Sequence, residues 1–156
     1  MVKIVACSFL VLCSFLFSLE KDIIQTLEDY NDAFVAEDYK NLPYFFDFPV
    51  SFNLKDKSII AGNKLKLRLI YKKLRGGLSE NYSYSKWENF NIQVLDDTVA
   101  IVDASFSRYD NDDSIIYSGN GFYTLRKIDS NWKIYSLTPY DNIIKSTDWL
   151  MEYISQ

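Results

Sequence analysis

Three side chains of this sequence combine a reactive or charged group with apolar neighbours, as functional groups in a pocket do. Asp47 lies in the run YFFDFPV, where burial among aromatic rings would raise the carboxyl pKa and suit a general acid or base. Tyr30 falls on the apolar side of a helical pattern, and a buried tyrosine hydroxyl can donate a hydrogen bond inside a pocket. Arg108 ends a stripe of small apolar residues, where it could bind a carboxylate or enolate oxygen.

Each of these residues also has an ordinary structural explanation. Asp47 would turn or cap the chain before a strand, and Tyr30 would be a core tyrosine. Arg108 would pair at the sheet rim with an acid of the loop YDNDD. The direction in which each side chain points decides between the two explanations.

Composition excludes several kinds of site. The 156-residue chain has no histidine, which removes Ser-His-Asp triads, Cys-His dyads and histidine metal sites. The loop YDNDDS lacks the glycine and the distant glutamate of a calcium loop, so we expect no metal and no other cofactor. A net charge of −4 argues against a nucleic-acid partner, because phosphate contacts need a clustered basic surface.

Residues 1–18 have the pattern of a secretory signal peptide. Lys3 precedes an apolar run over 4–17 that is too short to span a bilayer comfortably, and a polar, acidic segment follows. We expect cleavage near Ser18 and a periplasmic or secreted protein, which would have no cysteine and no stable membrane span. The alternatives are an uncleaved membrane anchor and a buried first strand, since the cleavage site and the lipoprotein-like LVLC are both imperfect.

The remaining residues, 19–156, read as one domain of helices followed by strands. Apolar periodicity predicts helices at about 19–38 and 64–75, with a helical turn and two short strands between them. Four long strands at about 81–95, 98–109, 114–128 and 131–140 follow, separated by Asp, Asn and Ser turns, and a short helix ends the chain. This order predicts an α+β fold, with the helices on one face of a curved antiparallel sheet.

Strict alternation predicts which side chains of two strands face the helices. On strand 98–109 the inward set is Ala100, Val102, Ala104, Phe106 and Arg108. On strand 131–140 the inward set is Trp132, Ile134, Ser136, Thr138 and Tyr140. The second stripe begins apolar and turns polar, which is typical of a cavity with hydrogen-bonding groups at its mouth.

Three segments resemble the nuclear-transport-factor-2-like superfamily, which includes SnoaL-like cyclases and ketosteroid isomerases. YNDAFVAEDYKNLPYFFDFPVSF is similar to its first helix, acidic turn and first strand. LDDTVAIVDASFSRYD is similar to a strand preceded by an acidic turn, and YTLRKIDSNWKIYSLTPYD to its last hairpin. The resemblance covers residues 19–141 and implies a cone-shaped antiparallel sheet wrapped around the N-terminal helices, with one pocket inside.

The resemblance also implies roles for single residues. Tyr30 lies near the position of the isomerases' oxyanion-stabilising tyrosine, whereas Asn53 lies near their general-base aspartate and cannot take a proton. Tyr140 and Asp141 stand where many relatives end the last strand with histidine. With Phe106, Arg108 and Trp132, Asn120 is a candidate for the pocket wall.

Three functions follow from this reading. The first is a non-catalytic domain that binds a small, largely apolar ligand. The second is an acid–base enzyme of isomerase, dehydratase or cyclase type, with Asp47 as base and Tyr30 and Arg108 as electrophilic helpers, which requires Asp47 to face the pocket. The third is an interaction module that forms a homodimer through the outer sheet face.

Overall fold

The computed structural model of the chain describes residues 2–140, with side chains from Ser18 onward. Asp141 and the predicted C-terminal helix lie outside the described residues. The elements are α1 (Val2–Val35), a 3-10 turn (Leu42–Phe45), β1 (Phe46–Asn53), β2 (Ser58–Ala61), α2 (Lys64–Gly76), β3 (Tyr84–Val94), β4 (Val99–Tyr109), β5 (Ile115–Ile128) and β6 (Asn131–Tyr140). This order confirms the predicted α+β fold.

The six strands form one curved sheet in the order β2-β1-β6-β5-β4-β3. The strands β3 to β6 form an antiparallel meander, as their short Asp- and Asn-rich connections predict. The pairing of β1 with β6 is parallel, which corrects the expectation of a purely antiparallel sheet. Parallel neighbours need a long crossover, and here α2 and the whole meander separate the two strands in sequence.

Helix α1 packs the core through residues spaced three or four apart, which share one side of a helix. These residues are Leu19, Ile23, Leu27, Tyr30 and Phe34, all buried. The helical backbone begins at Val2, well before the predicted start near Leu19, and Leu19 is the first buried residue among the side chains described from Ser18 onward. Among residues 18–140, no helix is both long and apolar enough to cross a membrane.

Helix α2 covers the other part of the sheet's inner face, which we define as the face toward the helices. Asn63 caps its first turn by accepting a hydrogen bond from the Lys66 amide at 3.0 Å. Leu67 and Tyr71 are its buried residues and join the same core as α1. The two helices therefore leave the inner face of β3 to β6 partly open between them.

A β-bulge in β6 changes which side chains face inward. Thr124 pairs with Ser136, but the next residue of β5, Leu125, pairs with Ile134, so Tyr135 is an extra residue. One extra residue reverses the alternation after it. Trp132 and Ile134 face the core before the bulge, and Leu137 and Pro139 take over that face after it. The prediction that Ser136, Thr138 and Tyr140 face inward is therefore wrong.

Candidate functional site

A cavity of about 130 Å³ lies between the two helices and the inner face of the sheet. Most of its wall is aromatic or aliphatic, and every strand except β2 contributes to it, with Leu54 following β1. Its lining residues are Tyr30, Asn31, Phe34, Phe52, Leu54, Tyr71, Leu74, Ser85, Trp87, Phe106, Arg108, Asn120, Gly121, Tyr123, Leu137 and Pro139. A mostly apolar pocket with a few polar groups is the usual form of a small-molecule site.

Three buried tyrosines form one wall of the cavity. The Tyr71 hydroxyl donates a hydrogen bond to the Tyr30 hydroxyl at 3.0 Å, and the Tyr123 ring lies 6.4 Å from the Tyr30 ring. Burial raises the pKa of Tyr30 above its ordinary value, although the Tyr71 hydrogen bond and the Arg108 charge partly oppose this. Burial raises the pKa values of Tyr71 and Tyr123 further. All three hydroxyls are therefore protonated at neutral pH and act as hydrogen-bond donors.

Arg108 supplies the positive charge of the cavity. It stands on β4 opposite Tyr117 of β5, and its guanidinium carbon lies 4.8 Å from the Tyr117 ring centroid and 5.2 Å from that of Phe106. Its Nε atom is buried without a hydrogen-bond partner, and Arg108 forms no ion pair with a carboxylate among residues 18–140. The alternative prediction of a rim ion pair with the YDNDD loop is therefore wrong.

The acids of that loop have other partners. Asp110 accepts hydrogen bonds from the backbone amides of Asp112 and Ser114, at 3.0 and 2.9 Å. Asp113 accepts one from the Tyr84 hydroxyl at 2.5 Å. These hydrogen bonds stabilise the β4–β5 turn. The loop acids therefore do not pair with Arg108, which lines the cavity.

Two hydrogen bonds hold α1 against β3 at the cavity wall. The Trp87 indole donates to the Leu27 carbonyl at 3.0 Å, and the Asn31 side-chain amide donates to the Ser85 carbonyl at 2.9 Å. Trp87 also packs edge-on against Tyr123, with 5.7 Å between ring centroids. The position of the Trp87 ring, which lines the cavity, is thus fixed from two sides.

Asp47 lies away from the cavity, contrary to the prediction of an inward catalytic base. Its neighbour Phe46 takes the core position, so alternation turns Asp47 to the outer face, where it forms an ion pair with Arg126. The Asp47 side chain keeps 25% of its surface exposed rather than being buried among aromatic rings. The acid–base hypothesis therefore loses the base that it named.

Asn53 and Tyr140 also face outward. The Asn53 amide donates hydrogen bonds to the hydroxyls of Ser136 and Thr138, at 3.0 and 3.3 Å. The Tyr140 hydroxyl donates to the Asp103 carboxylate, and burial together with this hydrogen bond raises the pKa of Tyr140 to about 12. The expected polar mouth of the cavity is instead a cluster of hydroxyls and amides on the outer face.

The structure brings four of the predicted residues together at the cavity, namely Tyr30, Phe106, Arg108 and Asn120. Trp132 is a core residue, 3% exposed, and does not line the cavity. Tyr71, Tyr123 and Trp87 line it but were absent from the predicted site. In the sequence, these three residues stand out only as large aromatic rings with a polar group on an apolar face. Core residues have the same pattern, so it does not identify a site.

A family profile described as NTF2-like protein (DUF6841) matches residues 20–142. The chain belongs to this NTF2-like family. No curated protein matches the sequence significantly. The family explains the cone-like arrangement of helices and sheet, whereas the activity has to be argued from the cavity itself.

Solved structures agree with this NTF2-like fold. A Nostoc punctiforme protein of unknown function with a cystatin-like fold has a TM-score of 0.67 at 16% identity, over 82% of this chain and 94% of its own. An NTF2-like protein of unknown function from Shewanella oneidensis has a TM-score of 0.62 at 18% identity, over 78% and 98%. A Novosphingobium aromaticivorans protein, provisionally assigned as a scytalone dehydratase, has a TM-score of 0.67 at 15% identity. The match covers 84% of this chain and 89% of that one. Identities this low establish the fold alone.

The cavity of this NTF2-like protein offers one cation and several hydroxyl donors within an apolar wall. Its described lining residues include no carboxylate, so none of them is a general base near neutral pH. Among residues 18–140, no group of three or more acidic or thiol side chains is arranged to hold a metal ion. The arrangement is chemically equipped to bind and orient a small molecule.

Proposed function

We propose that this NTF2-like protein binds a small, largely apolar molecule that carries one polar group, without transforming it. The proposal is supported above all by the cavity, whose aromatic wall is interrupted by Arg108 and the Tyr30 hydroxyl. Apolar surface supplies most of the affinity in such sites, and the few polar groups fix the orientation of the ligand.

The chemistry of the lining favours binding over acid–base catalysis. The named base, Asp47, is paired with Arg126 outside the cavity. The tyrosine hydroxyls that line the cavity have raised pKa values, so they keep their protons at neutral pH and cannot act as general bases. A tyrosine can still stabilise a developing oxyanion, but proton transfer would need a partner that the described lining does not contain.

The size of the cavity limits the ligand. An apolar cavity of roughly 150 Å³ binds a molecule the size of benzene. At about 130 Å³, this cavity would enclose one ring or a short branched chain, and any larger part would extend past Leu54 and Leu74 toward solvent. A fused multi-ring substrate would therefore be only partly enclosed.

Ligand-observed NMR on the full chain tests the proposal, with benzyl alcohol and benzoate as probes. A Leu137→Trp variant would fill the cavity, and Leu95→Trp is its matched control, because Leu95 lies outside the lining and is 52% exposed. We expect binding to the parent and to Leu95→Trp, with a loss of about tenfold or more in Leu137→Trp. Equal binding to all three proteins, or no binding at millimolar probe, would contradict the proposal.

We also propose that the protein acts after export, as residues 1–18 suggest. This is supported by the leader-like pattern of residues 1–18 and by the family match, which begins at residue 20. The homodimer through the outer sheet face stays a prediction. The described part of that face carries the hydroxyl and amide cluster around Asn53, which gives the dimer no specific support.

A further inference from the structure

We propose that the ligand is a small monocarboxylate, whose carboxylate binds Arg108 and the Tyr30 hydroxyl and whose apolar part, about one ring in size, lies against Trp87. This inference rests on the proposed binding function and adds the charge and the chemical class of the ligand. It is carried by one feature of the cavity, a partly buried guanidinium without a counter-ion in the described chain.

The charge of Arg108 is unusual because no carboxylate among residues 18–140 forms an ion pair with it. A cation taken out of water is normally paired with an anion, since its lost hydration must be replaced. The two ion pairs among the described side chains use Arg75 with Glu37 and Arg126 with Asp47, and leave Arg108 alone. A bound anion would supply the missing partner.

The aromatic contacts of Arg108 do not replace that partner. The rings of Tyr117 and Phe106 attract the guanidinium through their electron-rich faces. They provide no carboxylate-like lone pairs for its five N–H donors, and the buried Nε has no hydrogen-bond partner within the described part of the chain. Rings that hold a guanidinium in place while its N–H edge stays available prepare it for a planar, two-oxygen anion.

Tyr30 provides a second donor at the same cavity. It accepts the proton of Tyr71, so its own proton is not used in that bond and can be donated to a ligand oxygen. Its raised pKa keeps the proton in place at neutral pH. Arg108 and Tyr30 therefore form a donor pair that matches an acceptor-only group better than an alcohol or amide.

The rest of the lining selects for a single negative charge. Arg108 is the one charged residue of the described lining, so the potential inside an apolar wall is positive. A phosphate monoester would carry up to two charges against this single cation, whereas a carboxylate carries one. The small volume then limits the apolar part to about one ring.

Calorimetry on the full chain with benzoate, benzamide and benzyl alcohol tests this inference. The three probes share one ring, and only benzoate is charged at pH 7. We expect benzoate to bind about tenfold or more tightly than either neutral probe, because a hydrogen bond to a charged group contributes that much. Arg108→Gln should remove the preference, and Arg108→Lys should retain part of it.

Arg75→Gln is the matched control. Arg75 also lies over a tyrosine ring, at 4.3 Å from Tyr82, but it has its own counter-ion in Glu37 at 3.5 Å and does not line the cavity. This variant loses the same charge and should keep the benzoate preference. Equal affinity for benzoate and the neutral probes would overturn the carboxylate and leave the binding function standing. No binding of any probe at millimolar concentration would overturn both.

Discussion

At the scale of the residue, the hydrogen bond from the Tyr140 hydroxyl to the Asp103 carboxylate on the outer face helps to set the pKa of Tyr140. The Tyr140 hydroxyl lies beside a carboxylate, so ionising it would bring two negative charges together. Burial is the larger cause and this contact the next, and together they raise the pKa of Tyr140 to about 12. Tyr140 is therefore a structural donor on the outer face, whereas Arg108 on the inner face has no ion-pair partner among residues 18–140.

Tyr140→Phe should reveal this donor through the pH dependence of stability. The folded-state pKa is raised above the unfolded value of about 10, so the contribution is complete below pH 10 and is lost as the pH rises toward 12. We expect the variant to lose roughly 1 kcal/mol of unfolding free energy at pH 7, and the difference from the parent to shrink above pH 10. Urea unfolding between pH 7 and 11 measures both.

Tyr44→Phe is the control for that comparison. Tyr44 is 54% exposed, and its hydroxyl has no hydrogen-bond partner within the described part of the chain. Its replacement should leave the unfolding free energy within about 0.5 kcal/mol at every pH. A Tyr140→Phe difference that stayed constant through pH 11 would refute the proposed linkage.

At the scale of the element, two glycines let aromatic rings of β5 lie over its own backbone. A Cβ atom on Gly121 would come within 2.7 Å of the Tyr123 ring, and one on Gly119 within 2.7 Å of the Tyr117 ring. The rings differ in their freedom to move away. Tyr123 is 4% exposed and packed by Tyr30 and Trp87, whereas Tyr117 is 43% exposed. A Cβ atom at either glycine would therefore make the same close contact, but the effect on stability would differ between the two positions.

Gly121→Ala should destabilise the protein more than Gly119→Ala. We expect a loss of about 1–3 kcal/mol at Gly121, since overpacking a buried ring forces neighbours apart. At Gly119 we expect less than about 1 kcal/mol, because the Tyr117 ring can swing toward solvent. Chemical denaturation of both variants makes the comparison, and equal losses would show that ring freedom does not decide the cost.

The same strands explain how much of the fold could be predicted. Turn clusters of Asp, Asn and Ser placed β4, β5 and β6 within a residue or so at most ends, since such residues interrupt strands for local reasons. Unbroken alternation correctly placed Phe106 and Arg108 on the inner face. Alternation failed in β6, because the extra Tyr135 has no special composition and only the pairing with β5 reveals it.

Residue type and strand or helix facing predicted only part of the candidate site. Residue type and facing were enough for Tyr30 and Arg108, which combine polar groups with an apolar face. They were not enough for Tyr71 and Tyr123, because a ring in a filled core and a ring beside a cavity have the same pattern in sequence. Asp47 was placed wrongly because its neighbour Phe46, and not Asp47, occupies the core position.

At the scale of the whole molecule, α1 extends across the predicted boundary between the leader and the domain. Its backbone is helical from Val2 to Val35, yet its first described buried side chain is Leu19 and the family match begins at residue 20. The family match therefore begins about where the predicted leader ends.

Expression of the full chain in a bacterium with a periplasm tests the predicted leader. We expect the intact mass of the periplasmic protein to correspond to a chain that starts near Leu19, which removes Lys3 and changes the net charge from −4 to −5. The truncated chain should melt within a few degrees of the uncleaved one, because it retains all of residues 20–142 that match the family. A full-length mass in the membrane fraction would favour the uncleaved anchor.

The bulge in β6 has a consequence for the way such a sequence can change over generations. A substitution in this strand alters one contact, and selection can act on it gradually. Deleting Tyr135 would remove the bulge and restore strict alternation, so Leu137 and Pro139 would stay on the inner face opposite the same residues of β5. The bulge thus absorbs a one-residue change in length without changing which side chains of this segment face the cavity.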